Sequence, residues 1–191
     1  MRFYPESAAP EYRAESDVWD IVKEALKDED GVAWHGYRLY RKGRSYSYAP
    51  DIFVLSRRYG AIVIECKGCS IDNIYAIYNT VWQMEDWYKP EITPVSQVES
   101  QRLEVQRHLR QKFQHPERLR FRVMVALPFI TSVQWADKGF AEEEAVEPVA
   151  LAENLTVDGF LAWLDQCQLE NPQPHLTDTE WSEILNALGG R

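Results

Sequence analysis

The chain has 191 residues, 45% of them hydrophobic and 27% charged, the mix of an ordinary globular protein forming one domain with a sizeable core. Three cysteines argue against a disulfide framework, and no apolar run approaches the roughly 18 residues of a membrane span. The N-terminus lacks a basic stretch followed by an apolar one, so no signal peptide and a cytoplasmic location are expected.

Residues 11–28 read as an amphipathic helix, with Val18, Ile21, Val22, Ala25 and Leu26 at helical spacing and Trp19 widening the stripe. Asp28-Glu29-Asp30-Gly31 ends it. A strand follows over 32–40, then the turn-like basic run Arg41-Lys42-Gly43-Arg44-Ser45. Pro50 precedes the β-rich run Asp51-Ile52-Phe53-Val54-Leu55, and a turn leads into Ala61-Ile62-Val63-Ile64-Glu65-Cys66-Lys67. The length and branched residues of that second run favour a buried strand. Residues 71–89 read as an aromatic β-hairpin turning at Asn79-Thr80. Pro94 opens a helix over 95–114, whose inner face carries Val95, Val98, Val105, Leu109 and Phe113. Phe121-Arg122-Val123-Met124-Val125-Ala126-Leu127 is nearly continuously apolar, as in a central strand covered on both faces, and Pro128 closes it.

Two more helices are expected, over 157–168 and 178–188, with Thr177 and Glu180 at capping-box spacing for the second. The order predicts an α/β fold: a mixed β-sheet flanked by helices, with two extra C-terminal helices.

The net charge is −9, which opposes phosphate binding unless a divalent cation offsets carboxylates at a site. The basic residues are also clustered. Arg38, Arg41, Lys42, Arg44, Arg57 and Arg58 fall early, and a second group runs from Arg102 to Arg122, away from Glu142-Glu143-Glu144. They form either a binding face or a solvated surface of mixed charge.

The chemistry-bearing residues sit at strand ends. Side chains alternate along a strand, so Glu65 and Lys67 share a face. Asp51 precedes Glu65 by 14 residues, about two adjacent strands and a turn. If it faces the same way, two acids and a lysine converge. Such a carboxylate pair can hold Mg²⁺ near a phosphodiester, acidifying water and neutralising charge, with Lys67 orienting the water or stabilising charge. The Cys66 carbonyl is a further possible ligand if the strand distorts. The alternative is a turn residue at Asp51 and a surface ion pair between Glu65 and Lys67. Cys66 and Cys69 form a C-x-x-C, but no second cysteine pair or paired histidines lie nearby to complete a zinc site, and Cys66 reads as a core residue. None of His35, His108, His115 and His175 pairs at metal-ligand spacing, and His35 reads as structural.

The stretch Ala49-Pro50-Asp51-Ile52-Phe53-Val54-Leu55, followed by Tyr59-Gly60-Ala61-Ile62-Val63-Ile64-Glu65-Cys66-Lys67-Gly68, resembles the nuclease-related domain, NERD, of the PD-(D/E)XK superfamily. Ala14-Glu15-Ser16-Asp17-Val18-Trp19 resembles the family's first helix, and Thr93-Pro94-Val95-Ser96-Gln97-Val98 its Pro-x-x-Gln element. Ala14 stands where the family often has glycine, and Thr93 where it often has asparagine. The likeness spans about 12–130, leaving a helical extension over about 150–191 within one nuclease-like domain covering 1–191. It implies a restriction-endonuclease-like fold with Asp51 and Glu65 as metal ligands, Lys67 as catalytic lysine, Glu15 supporting the metal or its water, and Gln97 as an auxiliary polar residue. Mg²⁺, with Mn²⁺ as a substitute, is the implied cofactor. Residues 177–188 resemble the segment that follows the domain in helicase-fused members, yet the chain has no G-x-x-x-x-G-K-[ST] phosphate loop.

Three readings follow. One is a metal-dependent nuclease acting on DNA, with RNA open as an alternative, and a DNA helicase as fusion or partner. Another is a catalytically weak DNA-binding module of nuclease fold serving a helicase or repair complex. The third is a protein-binding scaffold built on the aromatic hairpin, with Trp82, Trp87 and Tyr88 as an interface, although aromatics at such spacing are more often core.

Overall fold

The structure, a computed structural model, describes residues 1–5, 12–37, 49–142 and 148–189. The basic run from Arg41 to Ser45, the last part of the strand expected over 32–40, and Glu143 and Glu144 lie outside these residues.

Among the described residues, nine strands form two sheets. The main sheet holds β1 (Arg2–Tyr4), β2 (Gly31–His35), β3 (Ile52–Ser56), β4 (Gly60–Cys66), β8 (Phe121–Ala126) and β9 (Val149–Ala150), in the order β1-β2-β3-β4-β8-β9. Pairing is antiparallel for β2-β3 and β3-β4 and parallel for β1-β2, β4-β8 and β8-β9, so the sheet is mixed as expected. The small sheet holds β5 (Ile74–Tyr78), β6 (Val81–Met84) and β7 (Glu91–Ile92). It contains the expected hairpin, turning at Asn79 with φ 56°. The described residues also form five α-helices: α1 (Arg13–Leu26), α2 (Pro94–Arg110), α3 (Ser132–Asp137), α4 (Val157–Glu170) and α5 (Asp178–Leu188).

β4 is buried along its whole length, which accounts for its unbroken apolar sequence. Its alternate side chains enter two cores. Ile62 and Ile64 pack with Val18, Trp19 and Val22 of α1 and Phe160 and Leu164 of α4. Ala61 and Val63 face the other side, among Val98, Val105 and Leu109 of α2 and Trp181 and Ile184 of α5. The connection between β4 and β8 contains both the small sheet and α2, and α2 lies over the sheet as its crossover helix. The expected inner face of α2 is buried at Val95, Val98, Val105 and Leu109, with Phe113 just past its end.

The β3–β4 turn depends on Gly60. Its φ is +84°, and a Cβ there would collide with the Arg120 carbonyl oxygen. That same oxygen accepts a hydrogen bond from the Ala61 N–H at 2.8 Å, so the missing side chain lets β4 and the start of β8 approach.

Candidate active site

Glu65, next to last in β4, and Lys67, just past its end, follow the pleat of Ala61 and Val63 toward α2. Glu65 is 2% exposed and Lys67 8%. A carboxylate so deep needs donors, because an unpaired buried charge is expensive. Glu65 has three: Oε1 accepts from the Lys67 ammonium and from Gln97 Nε2 at 2.5 Å, and Oε2 accepts from Gln101 Nε2 at 2.7 Å. Gln97 also takes a 3.4 Å contact from Lys67 Nζ at its Oε1, tying the acid and the lysine into one network. Burial pulls the Lys67 pKa down, but the Glu65 carboxylate more than offsets this, and Lys67 lies above its ordinary value. It is an ammonium.

Gln97 and Gln101 are four residues apart in α2 and so share one helical face. Gln101 is fully buried between Val98 and Val105, and its Nε2 also reaches the Ala49 carbonyl at 3.2 Å. Its role beside Glu65 was not anticipated from sequence. The available signal was a glutamine on the same stripe as the apolar residues of α2.

Asp51 immediately precedes β3. Extending the β3–β4 register by two pairs past Ile52↔Ile64 sets Asp51 opposite Glu65 and Pro50 opposite Cys66. Proline has no N–H, so it cannot donate to the Cys66 carbonyl across the ladder. The Cys66 N–H donates to the Asp51 side chain, at Oδ2, 2.7 Å away. The ladder therefore ends where the two acids meet. Burial raises the Asp51 pKa to about 8, helped by the neighbouring Glu65 charge and opposed by the Cys66 N–H.

Glu15, in the first turn of α1, accepts at Oε2 from His35 Nε2 at 2.7 Å, and His35 ends β2 opposite Ile52. From the sequence alone His35 reads as structural. The structure gives it a polar partner in the candidate site, a pairing across 20 residues that sequence spacing does not reveal. The two C-x-x-C thiols are buried, Cys66 at 7% exposure and Cys69 at 0%, and burial pushes both thiol pKa values up, Cys69 to about 11. Neither is poised as a reactive thiolate.

Asp51, Glu65, Lys67, Glu15 and Gln97 all line one cavity of about 830 Å³, together with Cys66. Its remaining wall carries Tyr12, Arg13, Trp87, Tyr88, Lys89 and Phe129. Trp82, expected as a surface aromatic in the scaffold reading, is instead fully buried against Trp135.

The donor set suits a hard divalent cation. Asp51 and Glu65 present carboxylate oxygens at the facing ends of β3 and β4, and burial, with the neighbouring Glu65 charge second, raises the Asp51 pKa. Among the described residues no three His, Cys, Asp or Glu side chains form a closed metal cage. Magnesium does not require one, since it is commonly held by one or two carboxylates with water and substrate phosphate completing the shell.

A mixed sheet whose adjacent strands end in an acid and in an E-x-K pair is the arrangement of the PD-(D/E)XK nuclease superfamily. The chain belongs to the NERD family, the nuclease-related domain, which matches it over residues 10–128. No curated protein and no solved structure matches it. Family membership gives the chain a nuclease-related function and accords with the superfamily assignment. No described helix is long and apolar enough to cross a membrane.

Proposed function

We propose that this chain is a divalent-metal-dependent nuclease that hydrolyses phosphodiester bonds of DNA. The observation that carries the reading is the convergence of Asp51, Glu65 and Lys67 in one cavity, with Gln97 bridging the last two.

Asp51 and Glu65 would hold Mg²⁺ or Mn²⁺, with the Cys66 carbonyl as a further oxygen. When bound, the ion supplies charge neutralisation at the phosphate and acidifies water. Lys67 acts as a cation. Its raised pKa keeps the proton on Nζ, so it donates to a phosphate oxygen or to the attacking water rather than abstracting a proton. Gln97 holds Lys67 and Glu65 in register, and Gln101 fixes the second Glu65 oxygen from below. Glu15, oriented by His35, places a further carboxylate at the cavity wall to support the metal's water shell.

A second reading, a weakly active DNA-binding module that serves a helicase, rests on the net charge of −9. Labelled single- and double-stranded DNA incubated with Mg²⁺ or Mn²⁺ separates the two. Cleavage by the wild type that disappears in both Glu65→Ala and Lys67→Ala supports the nuclease. Absence of cleavage with either metal, alongside salt-sensitive DNA binding, leaves the binding module.

A further inference from the structure

The cavity wall opposite in chemistry to its acidic floor is aromatic and basic. The segment between β6 and β7 contributes Trp87, Tyr88 and Lys89 to it. Tyr88 is 69% exposed, so its ring is open to solvent at the cavity wall. Its ring centre lies 5.4 Å from that of Trp87, tilted by 48°, and Lys89 Nζ lies 5.5 Å from the Tyr88 centre. The half-buried Trp87 packs against the core and backs Tyr88.

This segment is fixed rather than loosely tethered. Met84 N–H donates to the Pro90 carbonyl at 2.8 Å, closing the loop on itself. Glu85 N–H donates to the Asn73 carbonyl at 2.8 Å, and Asn73 Nδ2 donates back to the Glu85 carbonyl at 3.2 Å. Asp86 adopts φ 50°, the sharp bend that turns Trp87 and Tyr88 toward the cavity. Across the cavity lining, Arg13 sits over the Phe129 ring at 5.4 Å, a second aromatic–cation pair.

We infer that Trp87 and Tyr88 form a stacking platform for an unpaired base, and that the chain takes single-stranded DNA into this cavity. Every base offers a π-face to an aromatic ring, but in a duplex those faces are already covered by neighbouring bases. A protruding tyrosine beside the catalytic carboxylates therefore engages a strand whose bases are free. Lys89 and Arg13 are placed to meet the phosphates of that strand, offsetting the carboxylate floor. The inference rests on the nuclease reading for its substrate but is tested by binding.

The test measures fluorescence anisotropy of a labelled oligo-dT strand and of a blunt hairpin duplex, with Ca²⁺ in place of Mg²⁺, for wild type, Tyr88→Ala and Tyr88→Phe. Loss of one stacked base weakens binding about fivefold or more. The expected result is that loss for the single strand in Tyr88→Ala, recovery in Tyr88→Phe, and little change for the duplex. Unchanged single-strand binding in Tyr88→Ala overturns the platform, as does an equal loss for strand and duplex. Tighter binding of oligo-U than oligo-dT by the wild type overturns the assignment to DNA. The two readings fail separately: single-strand binding lost in Tyr88→Ala with no cleavage under any metal keeps the platform and removes the nuclease, whereas metal-dependent cleavage with unchanged binding in Tyr88→Ala does the reverse.

Discussion

Replacing Gln101 with leucine removes an amide that touches Glu65 but is itself shut away from solvent. A hydrogen bond to a charged partner contributes about 1.5–3 kcal/mol, so the Glu65 carboxylate loses on that order when Nε2 is deleted. The Ala49 carbonyl loses a weaker donor at 3.2 Å. Against this, Gln101 Oε1 is buried with no hydrogen-bond partner among the described residues, and leucine removes that orphan, returning roughly 1 kcal/mol. The expected net destabilisation is about 1–2 kcal/mol, or a Tm lower by about 2–8 °C for a chain of this size. Urea unfolding in EDTA measures it. The decisive comparison is the same substitution in a Glu65→Met background, where the amide has lost its acceptor and its removal becomes neutral or favourable. The two substitutions should couple by about 1.5–3 kcal/mol. An equal penalty in both backgrounds would refute the idea that Gln101 is there to hold Glu65.

Two further outcomes follow from the same geometry. The Asp51 pKa is raised in the folded, metal-free protein, so the folded state binds this proton more tightly than the unfolded chain does. The stability from that proton is fully present below the ordinary carboxylate pKa of about 4 and is lost as pH rises through about 8. Unfolding in EDTA across this window should show a fall in wild-type stability that Asp51→Asn lacks, and parallel pH profiles would count against the assignment. Gly60→Ala forces a side chain into a positive-φ turn and against the Arg120 carbonyl, so it should cost more than about 1 kcal/mol, read as a lower urea midpoint. An unchanged midpoint would mean that β8 yields freely at this point.

The main sheet was legible because burial on both faces leaves a strong mark. β3, β4 and β8 each needed an apolar run, and each run is visible in the sequence. α1, α2, α4 and α5 announced themselves by periodicity, and the Thr177–Glu180 capping box is present as expected. The two-residue strands β7 and β9 and the three-residue β1 were missed because they are too short to show alternation. α3 was also missed, although Thr131 and Gln134 form a capping box that marks its start. In the site, Glu65 and Lys67 stand out because a charge pair at the end of an apolar strand is conspicuous. Gln101 and His35 do not, since each gains meaning only from a partner 36 or 20 residues away.

The C-terminal helix alters how the family boundary should be understood. The NERD match ends at residue 128, yet Leu176, Trp181, Ile184 and Leu188 lie in the same core as Val63 and Leu109. The Tyr37 hydroxyl donates to the Leu188 carbonyl, 151 residues away, and Arg57 donates to the carbonyl of Leu176. A fragment cut at the family limit would bare the apolar surface of α2 that α5 covers, and should aggregate rather than fold cleanly. Such distant contacts also make closure a late event, because long chain segments must be ordered before they are rewarded.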